Sequence, residues 1–332
     1  MQIRAHTGVS TDGSVATPDG RPTLLAMPDF APRVSPDGLE IDLLSSRPHT
    51  SDMPTANRKD DTMSNSNTST VTSTDGTTIT LDRYGDGPPL VLVGGAFQYR
   101  AFDPPTVELA KRLAGDFTVF HYDRRDRGDS GNTPPYTTRR EVEDLHAVLE
   151  HADERAFVFG NSSGAALALD AAAAGLAIDK LALYEAPFIV DDSRPPVPDD
   201  YIQQLNELLS EDRGGDMVEL FMTTVIGMPG QMVAGMRQAP MWPGFEAVAH
   251  TLIYDGLLME GTQTGRPIPA ERWASVAVPT LVLDGGDSDA WIHHAADSLA
   301  DMLADAQRNT LEGQTHTVAP EILAPAIREF FQ

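Results

Sequence analysis

No cysteine occurs anywhere in the 332 residues. The chain therefore forms no disulfide, offers no thiolate to a metal and has no cysteine nucleophile. Basic residues are scarce, 24 against 49 acidic ones, for a formal charge of -25. That balance argues against binding nucleic acid or an anionic membrane surface, because both repel an acidic protein. The acids are scattered rather than run together, so the charge reads as a solubility adaptation. No stretch approaches the ~18 consecutive apolar residues of a membrane span. The N-terminus has no short apolar core of the signal-peptide kind, so the expected location is cytoplasmic.

What is present is a chain that is 41% hydrophobic, enough for one large core. Residues 1–70 are unlike the rest. Ser, Thr, Asp, Pro and Gly dominate there, and such a segment buries too little surface to offset its ordering entropy. We expect it to be disordered, with Met63 as an alternative start of the functional chain. Order is expected from Val71, where Asp75-Gly76 signals a two-residue hairpin. Leu90-Val-Leu-Val and Phe117-Thr-Val-Phe-His-Tyr then read as strands buried on both faces. Thr138 and Glu141 suggest a capping box ahead of a helix whose apolar face is Val142, Leu145, Val148 and Leu149. Further strands are expected at Lys180-Leu-Ala-Leu-Tyr, at Val278-Pro-Thr-Leu-Val-Leu and, at an edge, at Arg308-Asn-Thr-Leu. A helix is expected over Ala290–Leu303, and a last helical segment is interrupted by Pro325.

Alternation of buried strands with helices implies an α/β fold with a mostly parallel central sheet covered on both faces. Four segments follow: the extension at 1–70, a first core part at 71–187, an inserted helical cap at 188–272 and a second core part at 273–332. The insertion holds Met217, Met222, Met228, Met232, Met236, Met241 and Met259, a concentration suited to an adaptable apolar wall or to packing the cap on the core.

The densest signal is Phe157-Val-Phe-Gly-Asn-Ser-Ser-Gly-Ala-Ala. Apolar residues end a strand, Gly160-Asn161-Ser162-Ser163-Gly164 fits Gly-x-Ser-x-Gly, and an alanine-rich run with high helix propensity follows. In that context Ser162 is a candidate nucleophile on a sharp strand-to-helix turn. The two glycines allow close packing, and the helix N-terminus favours developing negative charge beside the serine.

These residues, with Leu90-Val-Leu-Val-Gly-Gly, Asp123-Arg-Arg-Asp-Arg-Gly-Asp-Ser and Gly313-Gln-Thr-His, make the chain from Val71 onward resemble the α/β-hydrolase superfamily. Asn161 stands where many relatives have His. The resemblance implies the order nucleophile, acid, histidine, which makes His316 the expected base. Of the other histidines, His293 and His294 read as solvated, His121 and His146 as structural, and His250 as a possible pocket residue. The usual place of the acid is the loop after Val278-Pro-Thr-Leu-Val-Leu, where Asp287 and Asp289 qualify. Some members, including lactonases of the zearalenone-degrading type, carry it instead after the strand that here ends at Tyr184. Glu185 stands there, and an acid ending an apolar strand needs a partner such as an imidazole N–H. We favour Glu185 and keep Asp287 and Asp289 as alternatives. The oxyanion hole is expected from the backbone N–H groups of Ser163 and of Ala96, with Phe97 as the alternative to Ala96. Arg127-Gly-Asp-Ser130 reads as a bracing loop without chemistry. The implied activity is cleavage of a carboxylic ester or lactone of a medium-sized apolar substrate, with no metal or organic cofactor. Thioester hydrolysis, acyl transfer, perhydrolysis and ligand binding with little turnover are the rival readings.

Overall fold

A computed structural model describes residues 67–332 except Glu154. Of the extension expected at 1–70, residues 1–66 fall outside the described residues, as does the reading of Met63, whereas residues 67–70 are not disordered but belong to the first strand.

Eight strands form one sheet in the order β1-β2-β4-β3-β5-β6-β7-β8. They are β1 Asn67–Thr72, β2 Thr78–Tyr84, β3 Pro89–Val93, β4 Thr118–Tyr122, β5 Ala156–Asn161, β6 Ile178–Tyr184, β7 Thr280–Gly285 and β8 Ala306–Leu311. β1 and β2 pair antiparallel, β2 meets β4 antiparallel, and all remaining pairings are parallel. The first strand begins four residues before Val71. Its hairpin also differs from the expected two-residue type. Gly76 N–H donates to Ser73 O and Ser73 N–H to Thr77 O, and Gly76 has φ 86°. This is the longer turn closed by a left-handed glycine.

Successive residues of the central strands face opposite sides, and each side has its own core. Val91, Val93, Val158, Leu181, Leu183 and Val282 join one cluster. Leu90, Leu92, Phe159, Ala182, Tyr184, Leu281 and Leu283 join the other. Helices α2 Thr138–His151, α3 Ser163–Ala173 and α10 Ala290–Met302 supply the first, with Leu145, Val148, Leu167 and Leu299 fully buried. Helices α1 Pro104–Leu113 and α11 Pro320–Phe331 cover the second, through Leu109, Leu113, Leu323, Ile327 and Phe331.

Two local expectations are corrected. The residue preceding α2 is Thr137, which makes no side-chain cap bond. Glu141 makes no capping box because its carboxylate is buried on Arg124, at 2.6 and 2.7 Å. An ion pair in the interior outweighs an end-cap contact. α11 is not interrupted but runs through Pro325. Pro325 lies on the exposed face, where water can satisfy the carbonyl that its missing N–H leaves free.

Between β6 and β7 the chain inserts helices α4 Tyr201–Ser210, α5 Gly214–Thr224, α6 Gly230–Met236, α7 Trp242–Glu246, α8 Leu252–Leu258 and α9 Ala270–Trp273. A 3₁₀ turn, Ala249–Thr251, leads into α8. Of the seven methionines here, Met217, Met222, Met228 and Met259 are buried, while Met232 is exposed.

Candidate active site

Ser162 stands between the end of β5 and the start of α3 with φ 55° and ψ -126°. A residue with a side chain pays roughly 1–3 kcal/mol to occupy such a region, and sites that need strain are where it is found. The surroundings enforce it. A Cβ on Gly164 would lie 2.3 Å from Val93 O, so only glycine lets α3 start this close to β3. A Cβ on Gly95 would lie 2.7 Å from the Cβ of Ser162, which places the loop after β3 directly against the serine.

Glu185 directly follows β6, the strand beside β5, and it too has a positive φ, 45°. The residue is 2% exposed, and both carboxylate oxygens have partners. Oε1 accepts from Gly285 N–H at 2.8 Å and from Ser288 Oγ at 2.5 Å. Oε2 lies 2.8 Å from His316 Nδ1. With Nδ1–H given to the carboxylate, His316 Nε2 is the nitrogen left to accept a proton. The two aspartate alternatives, Asp287 and Asp289, are exposed, and among the described residues neither is hydrogen-bonded to His316. The end of β7 contributes instead the Gly285 N–H, and the loop after it Ser288, which together hold Glu185 in place.

The segments carrying the serine and the histidine are connected through Tyr184. Ser162 N–H donates to Tyr184 O at 2.9 Å, and Tyr184 Oη donates to Thr315 O at 2.5 Å, one residue before His316. Among the described residues no direct hydrogen bond joins the Ser162 hydroxyl to His316.

The N–H groups of Ser163 and Ala96 have no hydrogen-bond partner among the described residues. Phe97 has φ 63° and turns its ring inward, onto Phe221 and Phe245 of the insertion, with centroids 5.1 and 4.9 Å away. Gln98 braces the loop. Its Oε1 accepts from Gly95 N–H at 2.5 Å and from Asn161 Nδ2 at 3.0 Å, and its Nε2 donates to Asp103 at 2.7 Å. Asn161 thus braces the loop after β3 through Gln98. No sequence signal marked Gln98 or Ser288, since both depend on what the fold places opposite them.

The remaining histidines divide differently from expectation. His121 is buried, and burial above all drives its pKa down from 6.5 to about 4. His146 is half exposed and therefore not a core residue. His293 is not merely solvated: its Nδ1 lies 2.5 Å from Asp284, which also takes both guanidinium nitrogens of Arg308. Burial alone would raise the Asp284 carboxyl, but Arg308 and His293 outweigh it and hold it below the usual range. His294 pairs with Asp191 at 2.7 Å. His250 stands 3.4 Å from Asp126. Among the described residues no cluster of His, Asp and Glu is arranged to hold a metal ion, and no helix is long and apolar enough to cross a membrane.

Residues 90–326 match the model of the Alpha/beta hydrolase family. A solved alpha/beta hydrolase from Sphaerobacter thermophilus is 58% identical, with a TM-score of 0.74, over 80% of this chain and all of that one. A thermophilic esterase from Thermogutta terrifontis is similar in fold, at 21% identity and TM-score 0.60 over 80% of this chain and 98% of that one. So is Est816, described as an N-acyl homoserine lactone degrading enzyme, at 19% and 0.56 over 79% and 100%. With the sheet order, the strained serine and the family match in agreement, this chain belongs to the alpha/beta hydrolase family.

Proposed function

We propose that the protein hydrolyses a carboxylic ester or lactone through Ser162, His316 and Glu185. The observation that carries this reading is the buried Glu185 carboxylate 2.8 Å from His316 Nδ1, with Ser162 on the neighbouring strand end. Ser162 Oγ attacks the acyl carbon while His316 Nε2 takes its proton. The carbonyl oxygen becomes an oxyanion held by the N–H groups of Ser163 and Ala96. The C–O bond to the leaving alkoxide breaks as His316 returns the proton to it. Water, deprotonated by His316, then releases the acid and regenerates the serine. Catalytic hydrogen bonds tighten when substrate binds, which accommodates the unbonded Ser162 hydroxyl. Phe97, Phe221 and Phe245 give the oxyanion loop an apolar neighbour, and this supports an apolar acyl group of medium size.

The reading is tested with a fluorophosphonate probe and p-nitrophenyl esters of graded chain length. Wild type is expected to label at one site and Ser162→Ala not at all. Glu185→Gln is expected to lower kcat by a factor on the order of 10³–10⁴, as the wrong histidine tautomer does in serine hydrolases. Asp287→Asn and Asp289→Asn are expected to stay within about twofold, the scatter of exposed substitutions. An aspartate variant that alone abolished turnover would give the acid's role to that residue.

A further inference from the structure

Behind the loop after β3 lies a buried ionic cluster that the proposed mechanism does not use. Arg127 Nη1 donates to Gly95 O at 2.5 Å, and Arg127 Nη2 to Asp255 Oδ2 at 2.6 Å. Arg124 Nη1 reaches Gly94 O at 3.3 Å and Asp255 Oδ1 at 2.8 Å, while Glu141 occupies its other edge. Asp255 Oδ1 also accepts from Ser163 Oγ at 2.7 Å. Arg124 and Arg127 are each 1% exposed, and Asp255 is 3% exposed.

The Gly95 carbonyl and the Ala96 N–H belong to one trans peptide unit, so they point in opposite directions. A guanidinium on the oxygen therefore fixes the direction of the N–H. It also withdraws electron density from that side of the amide, which makes the N–H a stronger donor. The two guanidiniums and two carboxylates sum to no net charge. Their order is what matters: the cations touch the peptide carbonyls, and the anions touch the cations. Asp255 lies in α8 of the insertion. It reaches one proposed donor residue, Ser163, directly and the other, Ala96, through Arg127.

We propose that Arg127 and Asp255 are positioning residues of the oxyanion hole, Arg127 aligning and polarising the Gly95–Ala96 peptide and Asp255 tying both donors to helix α8. The hole is thus complete only with the inserted helix seated. This inference rests on the serine-hydrolase reading above.

The test compares wild type with Arg127→Lys, which keeps the charge but loses the two-pronged grip. A second variant, Arg127→Met with Asp255→Asn, removes the charge without leaving a buried carboxylate unpaired. Circular dichroism and melting establish that each is folded. Steady-state hydrolysis of p-nitrophenyl butyrate separates kcat from KM. A trifluoromethyl ketone of matching chain length reports on the hole directly, because Ser162 adds to it to form a hemiketal oxyanion. Arg127→Lys is expected to lose on the order of tenfold in kcat, and the double variant more, up to the roughly 10²–10³ that removal of one donor costs. KM should stay within about twofold, and the ketone's inhibition constant should rise in step with the loss in kcat/KM. A merely structural role would not link those two quantities. A folded Arg127→Lys with wild-type kcat, or with its whole loss in KM, overturns the inference. Should the double variant fail to fold, Arg127→Lys decides alone. If wild type itself neither labels at Ser162 nor turns over esters, it is the hydrolase reading that fails, an outcome distinct from an active wild type beside an unaffected Arg127→Lys.

Discussion

At the scale of single residues, function and stability draw on the same feature, polar groups buried against specific partners. Glu185 is ionisable, 2% exposed and bound at both oxygens. Its environment asks for a fixed carboxylate and would tolerate a neutral amide poorly. His121 is the opposite case, an imidazole buried with no hydrogen bond at Nδ1. Burial lowers its pKa from 6.5 to about 4, against a smaller upward pull from Asp82. The folded state therefore binds this proton less readily than the unfolded chain. The stabilising contribution is complete above about pH 6.5 and is lost as pH falls toward 4, amounting to roughly 3 kcal/mol across that window. Urea titrations at pH 7.5 and pH 4.5 should show a larger drop in midpoint for wild type than for His121→Phe. Equal drops in the two proteins would show that His121 is not what titrates.

At the scale of elements, the sheet supplies precision because its strand ends are fixed by parallel pairing. The proposed nucleophile, Ser162, follows β5, the proposed acid, Glu185, follows β6, and Gly285 and Ser288, which hold Glu185, lie at and after the end of β7, so three neighbouring strands hold the candidate site in register. The last helix shows how a local rule yields to context. Proline usually ends a helix, yet α11 buries Leu323, Ile327 and Phe331 on both sides of Pro325. Packing on that face outweighs one missing hydrogen bond. Pro325→Ala restores the bond on an exposed face. It is expected to raise stability by about 1–3 kcal/mol, seen as a higher urea midpoint with unchanged kcat. A lower midpoint would mean that proline's restriction of the unfolded chain is the larger effect.

At the scale of the whole molecule, an excess of 25 negative charges works against compactness. Exposed ion pairs such as Arg83–Asp86 and Arg139–Glu143 contribute little individually, whereas repulsion among the surplus acids acts over a Debye length. Raising NaCl from about 0.02 to 0.5 M should therefore raise the melting temperature, and a fall would mean that screened ion pairs outweigh screened repulsion. Chloride suits this test better than sulfate, which stabilises by exclusion from the protein surface. The fold itself was legible from periodicity and turn residues, down to the strand that leads into Ser162. The hairpin length, the capping box at Thr138 and the course of Pro325 were not: the first was settled by the local Ser73–Thr77 closure, the other two by tertiary packing, of Arg124 on Glu141 and of the α11 core face on the sheet.

The sequence by itself determined the strand–turn–helix around Ser162, the parallel sheet and the late position of His316, since these follow from local periodicity, glycine placement and chain order. Only the tertiary structure decided that Glu185 rather than Asp287 or Asp289 meets His316, that Gln98 and Ser288 brace the site, and that Arg127 and Asp255 lie behind Ala96 and Ser163. Those pairings join positions far apart in the chain. Which buried charge meets which partner is fixed by where the strands end and how the inserted helices pack, and no local pattern encodes that.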